Sequence, residues 1–217
     1  MIERGILFGD IHSYHDLNLI LAPFVPSPAT PKTNYIDIPG ADGSLDLSEQ
    51  HGEVRYKDRD FTFVFTINPS ETMTFDEKVS QVSNALNGKK CRITLDRDSE
   101  YYWEGRCVVD KYAQDRVVGQ ISVKATVRPY KLKQEETVVS IALTSKAQEV
   151  VLTNGRKSVV PEITCTNDNA VVKFGSFETK LSAGTHTILD IYFKEGENTL
   201  IVSGSGTITI KYQEGEL

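Results

Sequence analysis

The chain has 217 residues, 39% hydrophobic and 25% charged, with 30 acids against 24 lysines and arginines and a net charge of −6. That composition is ordinary for a globular protein and excludes disorder as its organising principle. The acidic balance argues against tracking of nucleic-acid phosphates, which takes a basic footprint, and the length suits one large or two modest domains.

The first 22 residues, MIERGILFGDIHSYHDLNLILA, have acids and histidines breaking every apolar run. They read neither as a signal peptide nor as a membrane span. Short strands are expected at 5–8 and 16–21. Between them His12 and His15, beside Asp10 and Asp16, have a His-x-x-His spacing. With no Glu between the histidines and no third ligand downstream, a solvated loop is expected there rather than a metal site. Residues 23–32, PFVPSPATPK, hold prolines at 23, 26, 28 and 31. Proline has no N–H to give a ladder, so an extended surface connector is expected.

The stretch from Tyr35 to Ile67 is the most informative. Tyr35–Ile38 reads as extended, and Pro39-Gly40 as a turn in which proline sets φ and glycine takes the positive φ that follows. Asp42-Gly43 is a second turn signal. Asp37, Asp42 and Asp46 invite a calcium loop, but counting from Asp37 the ligand positions of an EF-hand fall on Pro39, Ala41 and Ser48. The aspartates are read instead as turn residues that bond their own backbone. Phe61, Phe63, Phe65 and Ile67 then alternate with polar or smaller residues, as in a strand with one face in a core. The alternation changes parity between Val54/Tyr56 and Phe61, so Lys57–Asp60 marks a bulge or a break.

After Asn68-Pro69 the period becomes helical. Thr74 with Glu77 forms a capping box, Phe75, Val79, Val82 and Leu86 share a face, and Asn87-Gly88 supplies the stop. This helix, near 74–87, is expected to cover one face of a sheet. Cys91, Ile93 and Leu95, then Tyr101, Trp103, Cys107 and Val109, then Ile121, Val123, Ala125 and Val127 alternate as strands around the polar turn at 96–99. Tyr101-Tyr102-Trp103 is weighed as a sugar-stacking cluster and read as core on one face with cross-strand pairs on the other. Residues 106–123 are read as a long hairpin projecting from the body. Arg128-Pro129 ends the half, and 130–145 reads as a hinge.

From there short strands are expected near 137–142, 148–152, 160–165, 169–174, 176–181, 185–191, 198–203 and 206–212, punctuated by Asn154-Gly155, Ala183-Gly184, Glu195-Gly196 and Ser203-Gly204. Strands at that density make a β-sandwich or jelly roll. The three cysteines, Cys91, Cys107 and Cys165, lack framework spacing and are read as reduced, mostly buried thiols from a protein made in the cytosol. With four histidines and neither a Gly-x-Ser-x-Gly elbow nor a phosphate-cradling glycine loop, no catalytic set assembles from the motifs, and no cofactor or metal is expected. A glycosidase would need a carboxylate pair, for which sequence gives no separations.

Ile38-Pro39-Gly40-Ala41-Asp42-Gly43-Ser44-Leu45-Asp46-Leu47, with Tyr56 and Arg59 downstream, resembles the N-terminal signature of the distal tail proteins of long-tailed bacteriophages. Ser13-Tyr14 and Asp16-Leu17-Asn18-Leu19 agree with it, with Asn18 where the family commonly has glycine. The resemblance is strongest over the first 130 residues or so. It implies a mainly β chain with one helix, as an N-terminal split-barrel-like or sandwich ring-forming domain (1–130) and a C-terminal galectin-like, jelly-roll or carbohydrate-module-like sandwich (131–217). It implies a virion structural protein of a phage or prophage, without enzymatic activity, made in the bacterial cytoplasm and placed at the tail tip. Its partners would be itself, as a hexameric ring, the major tail tube protein, the tail-associated hub or lysin protein and a receptor-binding protein, with no nucleic acid or membrane. Tyr35, Asp37, Pro39, Gly40, Asp42, Gly43, Asp46, Tyr56 and Arg59 are the candidate assembly residues. The alternative is a carbohydrate-binding module that uses the C-terminal sandwich to hold a host cell-wall saccharide.

Overall fold

A computed structural model describes residues 5–50, 52–68, 71–115 and 118–217. The chain separates into two compact units, Met1–Lys131 and Leu132–Leu217.

The first unit holds β1 (Ile6–Phe8), β2 (Ile11–His12), β3 (Leu19–Leu21), β4 (Tyr35–Asp37), β5 (Ser44–Asp46), β6 (Arg59–Ile67), the helix α1 (Phe75–Leu86), β7 (Lys90–Leu95), β8 (Tyr101–Gln114) and β9 (Gly119–Val127). Antiparallel pairing runs in the order β2-β1-β7-β8-β9-β6-β3, and β4 with β5 makes a separate two-stranded ribbon. The strand alternation in β6 is decisive. Phe61, Phe63 and Phe65 are at most 1% exposed, and each such burial stabilises the fold by roughly 1.5–3 kcal/mol. They stack edge-on among themselves, on Phe8 and on Trp103. Val82 and Leu86 of α1 close the same core.

The helix obeys its sequence signals. Glu77 N–H donates to Thr74 Oγ1 and Thr74 N–H to Glu77 Oε2 at 2.9 Å, a reciprocal box worth about 1 kcal/mol. Asn87 caps the other end. The parity break also falls where the charges stand, because Tyr56 makes only an isolated bridge, to Pro31, before β6 begins at Arg59. Pro69 lies outside the described residues.

Beyond β10 (Lys131–Lys133), the second unit holds β11 (Thr137–Ala142), β12 (Gln148–Asn154), β13 (Glu162–Cys165), β14 (Ala170–Phe174), β15 (Phe177–Leu181), β16 (Gly184–Thr187), β17 (Gly196–Ser203), β18 (Thr207–Tyr212) and β19 (Gly215–Glu216). Part of the expected hinge is therefore strand. The reason is pairing: Lys133 N–H donates to Glu214 O, and β11 is registered along β18 from Thr137 opposite Tyr212. Two four-stranded antiparallel sheets, β11-β18-β13-β16 and β12-β17-β14-β15, share one core of Ile163, Val172, Phe193, Leu200, Val202, Ile208 and Ile210. The strand expected at 185–191 is shorter, since Ile188 to Ile191 forms a turn closed by Ile191 N–H on Ile188 O.

Candidate assembly surface

The β4–β5 ribbon is the most unusual surface of the first unit. Ile36 faces Leu45 across the ladder, and Tyr35 faces Asp46. All six ribbon residues are exposed, including Tyr35 at 59%, Ile36 at 46% and Leu45 at 48%, and Ile38 beyond the strand is 48% exposed. A lone two-stranded hairpin is marginal in water, and this one turns apolar side chains outward. What holds its shape is its turns. Gly40 and Gly43 take φ of 84° and 76°, which only glycine adopts freely, and Ala41 N–H donates to Ile38 O. Asp37 accepts from Ser44 Oγ at 2.6 Å. Asp46 accepts from the side chain and backbone of Ser48, which holds its carboxyl below the usual range. Asp46 thus bonds the backbone two residues on, as expected of a turn aspartate, while Asp37 bonds a serine hydroxyl across the ribbon instead. From Thr33 to Gln50 the arm carries Asp37, Asp42, Asp46 and Glu49 and no lysine or arginine, so its apolar face is framed by negative charge.

The remaining candidate residues lie elsewhere. Tyr56 is half-buried, with its ring edge-on to Tyr130 at 5.8 Å. Arg59 is 6% exposed and belongs to the core, not to a docking face. Its Nε donates to Ser27 O at 2.7 Å and Nη1 to Pro129 O at 3.1 Å, and its guanidinium lies over Phe61 and Trp103. It ties the proline connector to the end of β9. That connector is also partly laddered, through Lys32 N–H to Arg55 O and Lys57 N–H to Thr30 O, because the residues between prolines keep their donors and acceptors.

A second exposed element is the far end of the β8–β9 hairpin, polar apart from Tyr112 and Ala113. Residues 110–115 are exposed, Tyr112 at 61%, and a register shift between Val109 and Lys111 re-aims them. Arg116 and Val117, in the turn, lie outside the described residues.

The Ser-x-x-Asp-Leu-Asn-Leu run proves to be a turn, built on its polar atoms. Ser13 is fully buried and its Oγ accepts from Ile6 N–H, while Asp16 Oδ2 accepts from His12 N–H at 2.6 Å. Asn18 has φ 51°, the left-handed region, which explains why glycine suits this place and asparagine tolerates it. His12 Nδ1 accepts from the backbone N–H of Tyr14 and His15, and its Nε2 meets Asp96 Oδ1 at 3.0 Å. Both ring nitrogens are spent on shape. Among the described residues no group of three His, Cys, Asp or Glu side chains is placed to hold a metal ion.

Two features escaped sequence reasoning. Lys78 is buried in α1 against Glu71, on the i, i+4 line of Val82 and Leu86. Asp96, read as part of a polar turn, binds both Gly5 N–H and His12. The aromatic triplet divides only in part as expected: Trp103 enters the core, but Tyr102 on the other face is also buried, under Arg92, and Tyr101 is half-buried against Lys131. In the second half Phe193 and Tyr212 are buried, and Tyr130, Phe174, Phe177 and Tyr192 are all half-buried.

Among the described residues the chain is mainly β, with two separate cores and one α-helix. Residues 9–136, well over half of the chain, match the family model described as phage tail protein RIFT-related domain. The chain belongs to that family. Its fold is similar to the crystal structure of SPP1 Dit (gp 19.1), with TM-score 0.71 and 11% identity over 99% of each chain. That protein is described as a paradigm of the hub adsorption apparatus in phages infecting Gram-positive bacteria. No curated protein sequence matches this one. The resemblance read from residues 13–59 is thus borne out by a family model and by a fold that agrees end to end.

Proposed function

We propose that this protein is a distal tail protein: a structural, non-catalytic ring, six subunits around, joining the tail tube to the adsorption apparatus at the tail tip. The observation that carries the reading is the β4–β5 arm, on which Tyr35, Ile36, Ile38 and Leu45 are all exposed. The whole-chain likeness to SPP1 Dit supports it. Ring closure requires two different faces on each subunit, related by a rotation that closes. The arm and the 110–115 end of the β8–β9 hairpin are those faces, both on the ring-forming domain of residues 1–130. The tail tube protein, the tail-associated hub or lysin and a receptor-binding protein are the neighbours this position assigns. A saccharide platform on the C-terminal sandwich, residues 131–217, would need an exposed aromatic, and none of Tyr130, Phe174, Phe177, Tyr192, Phe193 and Tyr212 is fully exposed.

The test is the mass of the full-length protein by light scattering, with negative-stain images of the same sample. A homogeneous hexamer seen as a ring with a central hole is expected. A monomer that stays monomeric at high concentration and in the presence of tail tube protein would overturn the reading.

A further inference from the structure

Cys91 on β7 and Cys107 on β8 have their sulfurs 3.8 Å apart. Nothing in the ladder register demands this, for Gly105 and not Cys107 stands opposite Cys91. A bulge at the start of β7 brings them near. Gly88 N–H donates to Cys107 O at 2.8 Å, and Cys107 N–H donates to Lys89 O at 2.9 Å, so two residues face one. Gly88 has φ 76°, the left-handed value glycine supplies at the first position of such a bulge. The bulge strengthens the local twist, and the two side chains, on the same face of the ribbon, meet along its diagonal.

The two thiols also differ in a useful way. Cys91 is half-buried, and a hydrogen bond from Cys107, with the charge of Lys89 working against burial, pulls its thiol below the usual range. Cys107 is fully buried, and the contact with Cys91 together with burial pushes its thiol far up. Cys91 is the less buried and more readily ionised of the two, and once its sulfur is in a disulfide the contact that most raises the Cys107 thiol is gone. That order makes Cys91 the attacking thiolate and Cys107, 3.8 Å away, the resolving one.

We propose that Cys91 and Cys107 are an oxidation site that closes into an intrachain disulfide when the protein passes from the reducing cytoplasm to the outside, tying β7 to β8. The timing rests on the tail reading above, since virion surfaces are among the places where disulfides persist. The chemistry balances with a disulfide oxidant. The Cys91 thiolate attacks one sulfur of oxidised glutathione and expels a glutathione thiolate, leaving a mixed disulfide on Cys91. Cys107 then attacks the Cys91 sulfur, the Cys91–glutathione bond breaks, and the Cys107 proton leaves with the second glutathione. The protein loses two hydrogens and one oxidised glutathione becomes two thiols. Closing moves the sulfurs from 3.8 Å to about 2 Å, a shift for the side-chain torsions and the bulge to absorb.

The experiment treats folded, full-length, reduced protein with oxidised glutathione, followed by intact mass and a thiol count. The expected product is lighter by about 2 Da, runs as a monomer under non-reducing denaturing conditions, and keeps one titratable thiol, Cys165, buried in the second unit. A peptide map joins residue 91 to residue 107. The C107A variant stops at the mixed disulfide and gains one glutathione. A wild-type protein that holds glutathione on Cys91 without resolving it, that forms a reducible dimer, or that retains three thiols would overturn the proposal. These masses do not depend on ring formation, so a chain that oxidises as stated yet never assembles would overturn the ring and leave the disulfide.

Discussion

Lys78, only 2% exposed, places its ammonium on the carboxylate of Glu71, and the pair locks the start of α1 to the segment before it. Gln81 Oε1 accepts a second bond from the ammonium at 2.8 Å. Glu71 is held in turn by the backbone N–H of Thr72 and Met73 at 2.9 and 3.2 Å. A buried pair contributes little net stability over an apolar replacement, but removing one partner strands the other charge. Glu71→Ala strands the buried Lys78 ammonium and should destabilise the first unit by about 3 kcal/mol, while Lys78→Met leaves the less deeply buried Glu71 carboxylate its backbone N–H donors and should cost less. Urea unfolding followed by Trp103, the one tryptophan, measures both. Equal losses would mean that packing, not charge, is what the site supplies.

The same pair sets an acid limit. Glu71 titrates at about 2 instead of 4.5, chiefly through its hydrogen bond with Lys78 and then through the Met73 N–H. A carboxylate with a depressed folded-state pKa stabilises the protein fully above its unfolded value, and that contribution is lost as the pH falls through the folded value. The stability gained from Glu71 should be complete above about pH 4.5 and vanish toward pH 2. Glu71→Gln should show a shallower decline over that window by Trp103 fluorescence. An unchanged profile would place the acid sensitivity elsewhere.

The arm and Arg59 separate assembly from folding. Replacing Ile36 and Leu45 together by serine touches only exposed side chains, so stability should move by less than about 0.5 kcal/mol per site while the light-scattering mass falls toward the monomer. Arg59→Ala should do the opposite. It removes charged donors from Ser27 O and Pro129 O and a cation from Phe61 and Trp103, a loss of about 3 kcal/mol. Arg59→Lys should rescue little, because an ammonium cannot span both carbonyls as a planar fork does. An arm variant that assembles normally would remove the arm from the interface.

How far the sequence was legible follows from the range of the forces involved. Thr74 with Glu77, Pro39-Gly40, and the Phe61/Phe63/Phe65 alternation are local signals, and the structure places a cap, a turn and a core strand there. Most strands of the second half were equally legible, since polar or glycine turns separate them. Arg59 stood among the candidate assembly residues through the family resemblance alone. Its burial depends on Ser27 and Pro129, 32 and 70 residues away, which no local pattern encodes. Lys78 and the Cys91–Cys107 approach were hidden for the same reason: each depends on a partner brought in by the fold, or on a bulge. The exposure of the arm could not be read at all, because alternating Ile36 and Ile38 look the same whether a core or a partner covers them.

Tyr212 offers a test of whether the two units, Met1–Lys131 and Leu132–Leu217, are independent domains. It lies on β18 of one sheet, packs edge-on to Phe193 at 5.2 Å, and donates its hydroxyl to Thr153 O on β12 of the other sheet at 2.7 Å. Burial, with Glu214 nearby, pushes its phenol up, so the hydroxyl stays a donor at neutral pH. Tyr212→Phe keeps the ring and loses that bond, a cost of about 1 kcal/mol, and Tyr212→Ala should cost about 3–5 kcal/mol through the cavity it leaves. Because its core contains none of the residues that surround Trp103, only one of two calorimetric transitions should move, by about 4–8 °C for Tyr212→Phe. The transition that Trp103 fluorescence follows should stay in place. If it moves by the same amount, the two cores unfold as one cooperative unit and the domain division fails.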